Sequence, residues 1–321
     1  MKKSTAASLI TAASLILLGV VIFGSMMTMM NWDFTNLNTV KYITSTYEID
    51  QDFNNISIKA DTDDIIFLPS ENGKCKIVCY EQEKIKHSVN LENETLIITK
   101  EDTRKWYEHI SIMSVATPTV TVYLPKTDYS SLLITSSTGD VKLHDSFMFD
   151  SIDISLSTGD VYCYASASGD IKIKASTGDI SIENISSQNL DLAVTTGKIN
   201  ASSINCGGSF HIYVSTGDAK LTDVACRSLT SGGNTGRLSL TNVVAEESFN
   251  INRSTGDVKL DSCDAREIFI KTDTGSVRGS ILSEKVFITK TDTGRVSVPQ
   301  TASGGRCEIT TDTGDIDINI K

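Results

Sequence analysis

The chain is poor in residues that interrupt or decorate regular structure: 4 prolines, 2 tryptophans and 7% aromatic residues among 321. That scarcity fits a regular β-repeat and excludes low-complexity and largely disordered classes. Basic side chains are outnumbered, 29 Lys and Arg against 40 Asp and Glu, giving a net charge of −11. The first 30 residues carry only Lys2 and Lys3, so the rest is more acidic still. An acidic body argues against a nucleic-acid partner and against direct attraction to anionic lipid. The seven cysteines, Cys75, Cys79, Cys163, Cys206, Cys226, Cys263 and Cys307, are odd in number and irregular in spacing. They describe no disulfide framework, and without paired CxxC motifs no structural zinc is expected. The four histidines, His87, His109, His144 and His211, share no repeat position with a plausible partner and are expected at the surface or an edge. There is no phosphate-binding glycine loop, nucleophile elbow or metalloprotease motif. No cofactor and no metal is expected.

What is present begins with an almost uncharged stretch over residues 4–30, including Leu15-Ile16-Leu17-Leu18-Gly19-Val20-Val21-Ile22-Phe23. A bilayer needs roughly 20 apolar residues. The run is long for a cleaved signal peptide and ends at no clear small-x-small site. The expectation is an uncleaved anchor: a cytoplasmic tail over 1–5, a transmembrane helix over 6–30 and a linker over 31–48. Lys2 and Lys3 place the N-terminus inside and the body outside, with Trp32 at the outer interface.

The body is dominated by one phrase, first seen as Ser137-Thr138-Gly139-Asp140. Its Thr-Gly pair recurs with the glycine at Gly139, Gly159, Gly178, Gly197, Gly217, Gly236, Gly256, Gly275, Gly294 and Gly314, at spacings of 19 or 20. A fixed period of this size is the signature of a solenoid. Two and four residues after the glycine the chain is apolar: Val141 and Leu143, Ile180 and Ile182, Val258 and Leu260, Val296 and Val298. Seven and five before the next glycine it is apolar again, as at Ile171 and Ile173 or Phe210 and Ile212. This period-two alternation predicts two short strands per coil with one face inward. A further inward slot seven after the glycine holds Ile185, Ile204, Val224, Val243, Cys263 and Leu282. The fold class is therefore all-β, a parallel β-solenoid over 136–321 in which successive coils stack. Right-handed crossovers are the rule for parallel strands, so a right-handed solenoid is expected. The ten glycines are read as structural turn residues, needed where φ is positive. Ser168-Gly169-Asp170 is read as the same turn used at the opposite edge. Cys163, Cys263 and Cys307 fall in inward slots. Cys206 and Cys226 occupy one slot in adjacent coils, about 4.8 Å apart, which makes them a candidate disulfide.

Residues 49–135 hold strand-like runs separated by turn signals. They read as a β-rich cap and irregular first coils, with Asp61-Thr62-Asp63-Asp64 as a degenerate repeat turn and a loop around Trp106 and Tyr107. An anchor, a β-rich lead-in ending in Val122-Tyr123-Leu124-Pro125-Lys126, and serial Ser-Thr-Gly-Asp coils together resemble the bacterial putative-adhesin family of repeat β-solenoids, over residues 40–321. The resemblance implies an exported protein, in a family that also occurs beside envelope-stress genes. It implies no catalytic residues.

Asp140, Asp160 and Asp179 form the most chemical-looking column. Stacked carboxylates serve acid/base or calcium chemistry in some solenoids. The column is broken by Lys198, Arg237, Ser276 and Arg295, so side chains bonding their own turn backbone are expected. A complete threonine column suggests ice binding, and a second one appears at Thr272, Thr291 and Thr311, but the main column sits at a corner. The function expected is a non-catalytic cell-surface scaffold. It would bind an envelope polymer or surface protein through exposed residues such as Lys142, Tyr162 and Lys259. The alternatives are a polysaccharide-processing enzyme using Asp140, Asp160 and Asp179, and an accessory protein of envelope-stress signalling that acts through a membrane partner.

Overall fold

The computed structural model describes residues 3–29, 31–32, 41–104 and 116–321. Lys2, the expected loop at Trp106 and Tyr107, and His109 lie outside the described residues. Lys3–Met29 is a 27-residue α-helix, about 40 Å long at 1.5 Å per residue. Its segment Leu9–Met29 has a mean hydropathy of 2.3, so it is long and apolar enough to cross a membrane.

The body is a parallel β-solenoid, and the coil starting at Gly178 shows its plan. Ile180 and Ile182 point inward, Asn184 turns a corner at φ 55°, and Ile185 and Ser187 point inward again. Asn189–Thr196 then returns to Gly197 with Leu190, Leu192 and Val194 buried. Each such coil thus carries three parallel segments rather than the two expected, with the third around the slot seven after the glycine. The extra corner was not legible because no glycine marks it. Asn184, Ser203, Asp223, Asn242 and Ser262 adopt left-handed φ of 52° to 56° there, a conformation that short polar side chains tolerate.

The inward slots form one continuous core. Val141, Ile180 and Val258 are buried, as are Cys163, Cys263 and Cys307. Two inward expectations fail. Leu282 is 45% exposed because the ladder shifts register after Gly279, and Ile281 takes its place opposite Cys263. Val296 is also 45% exposed because its coil lies at the end of the stack. Two buried positions of the solenoid carry cations: Lys285, paired with Asp264 at 2.6 Å, and Arg253. Arg253 is fully buried, and its guanidinium fills the space over Gly233, where a Cβ would lie 2.1 Å from Nη1.

Stack order departs from chain order at both ends. Val258–Thr274 pairs not with Lys285–Thr293 but with Gly305–Thr313, which in turn pairs with Lys285–Thr293. The last coil in sequence therefore sits inside the one before it. At the other end Asn55–Lys59 and Asp64–Pro69 lie between two later segments on each side: Thr95–Asp102 and Asp128–Thr138 for the first, Thr119–Leu124 and Val141–Leu143 for the second. Antiparallel strands close this end. Cys75–Gln82 pairs with Thr119–Leu124, Ile85–Glu92 pairs with Thr95–Asp102, and Tyr42–Ile49 forms the outer edge against Cys75–Gln82. Residues 42–48, read from sequence as linker, are thus part of that edge strand, because their alternation matches its partner.

The repeat glycines stack closely on one another. At Gly178 φ is 137°, and a Cβ would fall 2.0 Å from the carbonyl oxygen of Gly159. At Gly217 φ is 132°, and a Cβ would fall 1.8 Å from the Gly197 oxygen. Gly169 differs: it has no left-handed φ, and its constraint is the Asp150 carbonyl 2.7 Å from where a Cβ would be. The turn at Ser168-Gly169-Asp170 is therefore not the repeat turn.

Cys206 and Cys226 are in register in adjacent coils, and all seven thiols are free and buried. The Cys206 thiol donates to the carbonyls of Gln188 and Ser209, each at 3.5 Å. Burial pushes the Cys226 thiol up to about 12, so the reactive thiolate is scarce at neutral pH.

Four outcomes follow from this packing. Gly178→Val or Gly217→Val should cost on the order of 3 kcal/mol or more through backbone strain and overlap. Asp179→Asn and Asp218→Asn, which keep a side-chain oxygen, should cost about 1 kcal/mol or less. Denaturant unfolding of the full chain in detergent measures both. Deleting residues 305–321 removes an interior coil, so limited proteolysis should then cut within 285–297 while the preceding coils stay protected. A maleimide should leave the native thiols unmodified and label seven in denaturant with chelator. A count of five there would show that Cys206 and Cys226 are joined.

Candidate functional site

The corner stack sets the geometry of the carboxylate column. Register places Asp140, Asp160 and Asp179 directly above one another, as expected, but their bonds do not close on their own turns. The Asp160 amide donates to Asp140 Oδ1 at 2.9 Å, and the Asp179 amide donates to Asp160 Oδ1 at 2.7 Å. The Lys198 amide donates to Asp179 Oδ1 at 2.7 Å. The same link joins Asp64 to Asp140, Asp218 to Arg237, Asp257 to Ser276 and Asp315 to Arg295. Each carboxylate therefore accepts the amide one coil along in the stack. An amide at that position has no partner within its own turn, so the column satisfies donors that the sharp corner would otherwise strand. Asp315 is held below the usual carboxylate range, first by the Arg295 amide and then by the Arg278 guanidinium.

The surface residues singled out from the sequence fall into two places. Lys142 and Tyr162 are opposite one another in adjacent coils, with Lys142 Nζ 5.2 Å from the Tyr162 ring centre. The Tyr162 hydroxyl donates to Asp160 Oδ2 at 3.2 Å. Its pKa is raised, mainly by desolvation and then by the Asp160 charge. Lys259 lies farther along the same face, opposite Ser239 and Arg278. Arg237, Lys259 and Arg278 line a groove of about 430 Å³ together with Asp257, Ser239, Ser276 and Gly279.

The threonine column is unbroken and exposed, with Thr274 paired to Thr313 and Thr313 to Thr293 at the end of the stack. The expected second column does not form. Thr272 and Thr311 are buried, and their hydroxyls donate to the carbonyls of Gly256 at 3.3 Å and Gly275 at 2.9 Å. A flat two-column ice-binding face is therefore absent from these coils.

Two histidine expectations are corrected. His211 lies opposite Asp191 of the neighbouring coil, with Nδ1 2.9 Å from Oδ1. His87 is buried in the cap, not exposed: Nδ1 is 2.7 Å from Glu81 Oε2, and Nε2 is 3.5 Å from Asp63 Oδ1. Lys100 Nζ reaches both Asp63 oxygens, at 2.9 and 3.1 Å. The signal for Glu81 was present in the sequence. Inward Cys75, Ile77 and Cys79 set a parity that Glu81 continues. The meeting of Asp63 with His87 was not visible, because it depends on how the cap folds back over the first corner. His144 is at the surface, 2.7 Å from Asp145.

Among curated proteins nothing matches the chain. Among solved structures it is similar to a putative lipid binding protein of Parabacteroides distasonis ATCC 8503, at 15% identity and a TM-score of 0.47, over 75% of this chain and 98% of that one. A putative adhesin of the same organism matches at 12% identity and a TM-score of 0.44, over 75% and 98%. A putative adhesin of Bacteroides fragilis NCTC 9343 matches at 15% identity and a TM-score of 0.39, over 87% and 97%. The model of the Toastrack DUF4097 family matches twice, at residues 53–212 and 207–321, so nearly all of the solenoid is accounted for. The serial glycine corners, the three-segment coils and this double match make the chain a member of the Toastrack DUF4097 family, a family without a known function.

Proposed function

We propose that the chain is a non-catalytic scaffold held at the outer cell surface by its N-terminal helix, with its N-terminus in the cytoplasm. Its solenoid presents a stiff, continuous surface to envelope polymers or other surface proteins. The observation that carries this reading is how the acidic column is used. Asp140, Asp160 and Asp179 each spend Oδ1 on the backbone amide of a neighbouring coil. A general acid and base pair needs carboxylates that approach a substrate and exchange protons with it, whereas these hold coils together. The Lys142–Tyr162 pair and the groove beside Lys259 supply the contact chemistry: an aromatic face for a sugar ring, and cations for phosphate or carboxylate groups.

The test is an array of glycans and cell-wall polymers probed with the full chain in detergent, with product analysis of each polymer bound. Binding without cleavage is expected, weakened at least several-fold by Tyr162→Ala or Lys259→Glu. Cleavage that disappears in Asp160→Asn would replace the scaffold with a polysaccharide-processing enzyme. Silence on both counts would shift weight to a membrane partner acting through the helix.

A further inference from the structure

The cap contains a cluster that scaffolding does not require. Cys79 and Glu81 lie on the inward face of Cys75–Gln82, and His87 lies on the inward face of Ile85–Glu92 across a tight turn. All three are buried. Cys79 Sγ, a Glu81 oxygen and a ring nitrogen of His87 lie within 4.8 Å of one another. Asp63 approaches from the first corner of the solenoid, and its side chain is fully buried. We propose that this cluster is a zinc-class transition-metal site, with Cys79, Glu81 and His87 as ligands and Asp63 as fourth ligand or orienting carboxylate, and that the metal fastens the cap to the solenoid.

Two observations carry the assignment. The first is donor chemistry. One sulfur, one imidazole and carboxylates suit zinc and its neighbours, whereas calcium and magnesium take oxygen. The second is the ring. Nδ1 faces Glu81 at 2.7 Å, while buried Nε2 has no hydrogen-bond partner and faces Asp63 at 3.5 Å. Whichever nitrogen binds metal, the other faces a carboxylate, as ligating histidines require of their surroundings. Other groups already orient the site. Ser45 Oγ donates to Glu81 Oε1, the His87 amide donates to Glu81 Oε2 at 2.5 Å, and Tyr47 Oη donates to the His87 carbonyl at 2.7 Å.

Location gives the metal a task. Asp63 sits where the repeat has glycine, and the missing Cβ of Gly139 faces its carbonyl. Asp63 can carry a side chain because the cap, not another repeat corner, lies beyond it. A metal there would join the antiparallel strands to the first corner.

The experiment uses the full chain, without a histidine tag, in detergent. It is equilibrated with zinc sulfate, dialysed free of unbound ion and assayed by elemental mass spectrometry. One zinc per chain is expected, with a higher melting temperature than chelator-treated protein. Cobalt(II) in place of zinc should give a near-ultraviolet thiolate charge-transfer band. Cys79→Ser should remove that band, and His87→Gln should reduce bound zinc at least tenfold. Circular dichroism checks that each variant keeps its strands. Wild-type protein alone suffices to overturn the assignment, because substoichiometric zinc with no cobalt–thiolate band would do so. Zinc retained equally by Cys79→Ser and His87→Gln would also overturn it, by placing the ion elsewhere.

Discussion

The structure depends on how closely one coil lies on the next at the glycine corner. With a Cβ at Gly178 only 2.0 Å from the Gly159 carbonyl, no other residue fits without moving a coil. Because the corner is that tight, every ladder starts from the same register. Apolar slots then align into one core, and the threonines before the glycine align into one exposed column. The aspartate after the glycine comes within 2.7 to 3.0 Å of the amide one coil along. The carboxylate column is a product of the glycine column: spread the corners, and the acceptors lose their donors.

A stack built this way has a problem at each end, since an uncovered coil leaves strand edges and apolar side chains unpaired. Both ends answer with a segment out of chain order, but only one is closed. At the N-terminal end Tyr42–Ile49, Cys75–Gln82 and Ile85–Glu92 continue the ladders as antiparallel strands beyond Thr119–Leu124 and Thr95–Asp102. At the far end Lys285–Thr293 and Val296–Ser297 are outermost, with Ile288 and Val296 nearly half exposed. Placing the well-packed Gly305–Thr313 and Ile316–Ile320 inside keeps Cys307, Ile309, Ile316 and Ile318 buried. The poorer coil, interrupted by Pro299, takes the edge.

Buried polar groups mark where the chain departs from its own rule. Along the solenoid the interior is almost wholly apolar, and Arg253 is tolerated because Gly233 and Ser231 leave it room, with Ser231 Oγ 3.4 Å from Nη2. Burial lowers its pKa, with Asp218 opposing the shift. In the cap, by contrast, Asp63, Glu81, His87 and Lys100 meet in one place. Arg253, and Lys285 with its partner Asp264, are separate accommodations within the repeats. Four ionisable groups converging with a thiol form a site whose parts come from separate segments.

What the sequence determined by itself was the part of the repeat that glycine and apolar residues mark, together with the apolar N-terminal helix: the coil length, the inward slots at Val141 or Ile180 and the turn at each Thr-Gly. These are local, because a period of 19 or 20 residues and an alternation of two are properties of neighbours along the chain. What only the tertiary structure decided was whatever joins one coil to another. Gly314 rather than Gly294 abuts Gly275, since the two phrases are nearly identical and only the fit of their flanking strands separates them. Asp140 bonds the Asp160 amide rather than its own turn, since the spacing between coils puts that amide nearer. His87 meets Asp63 and Glu81, since the cap folds back over a corner whose side chain a glycine would not have had.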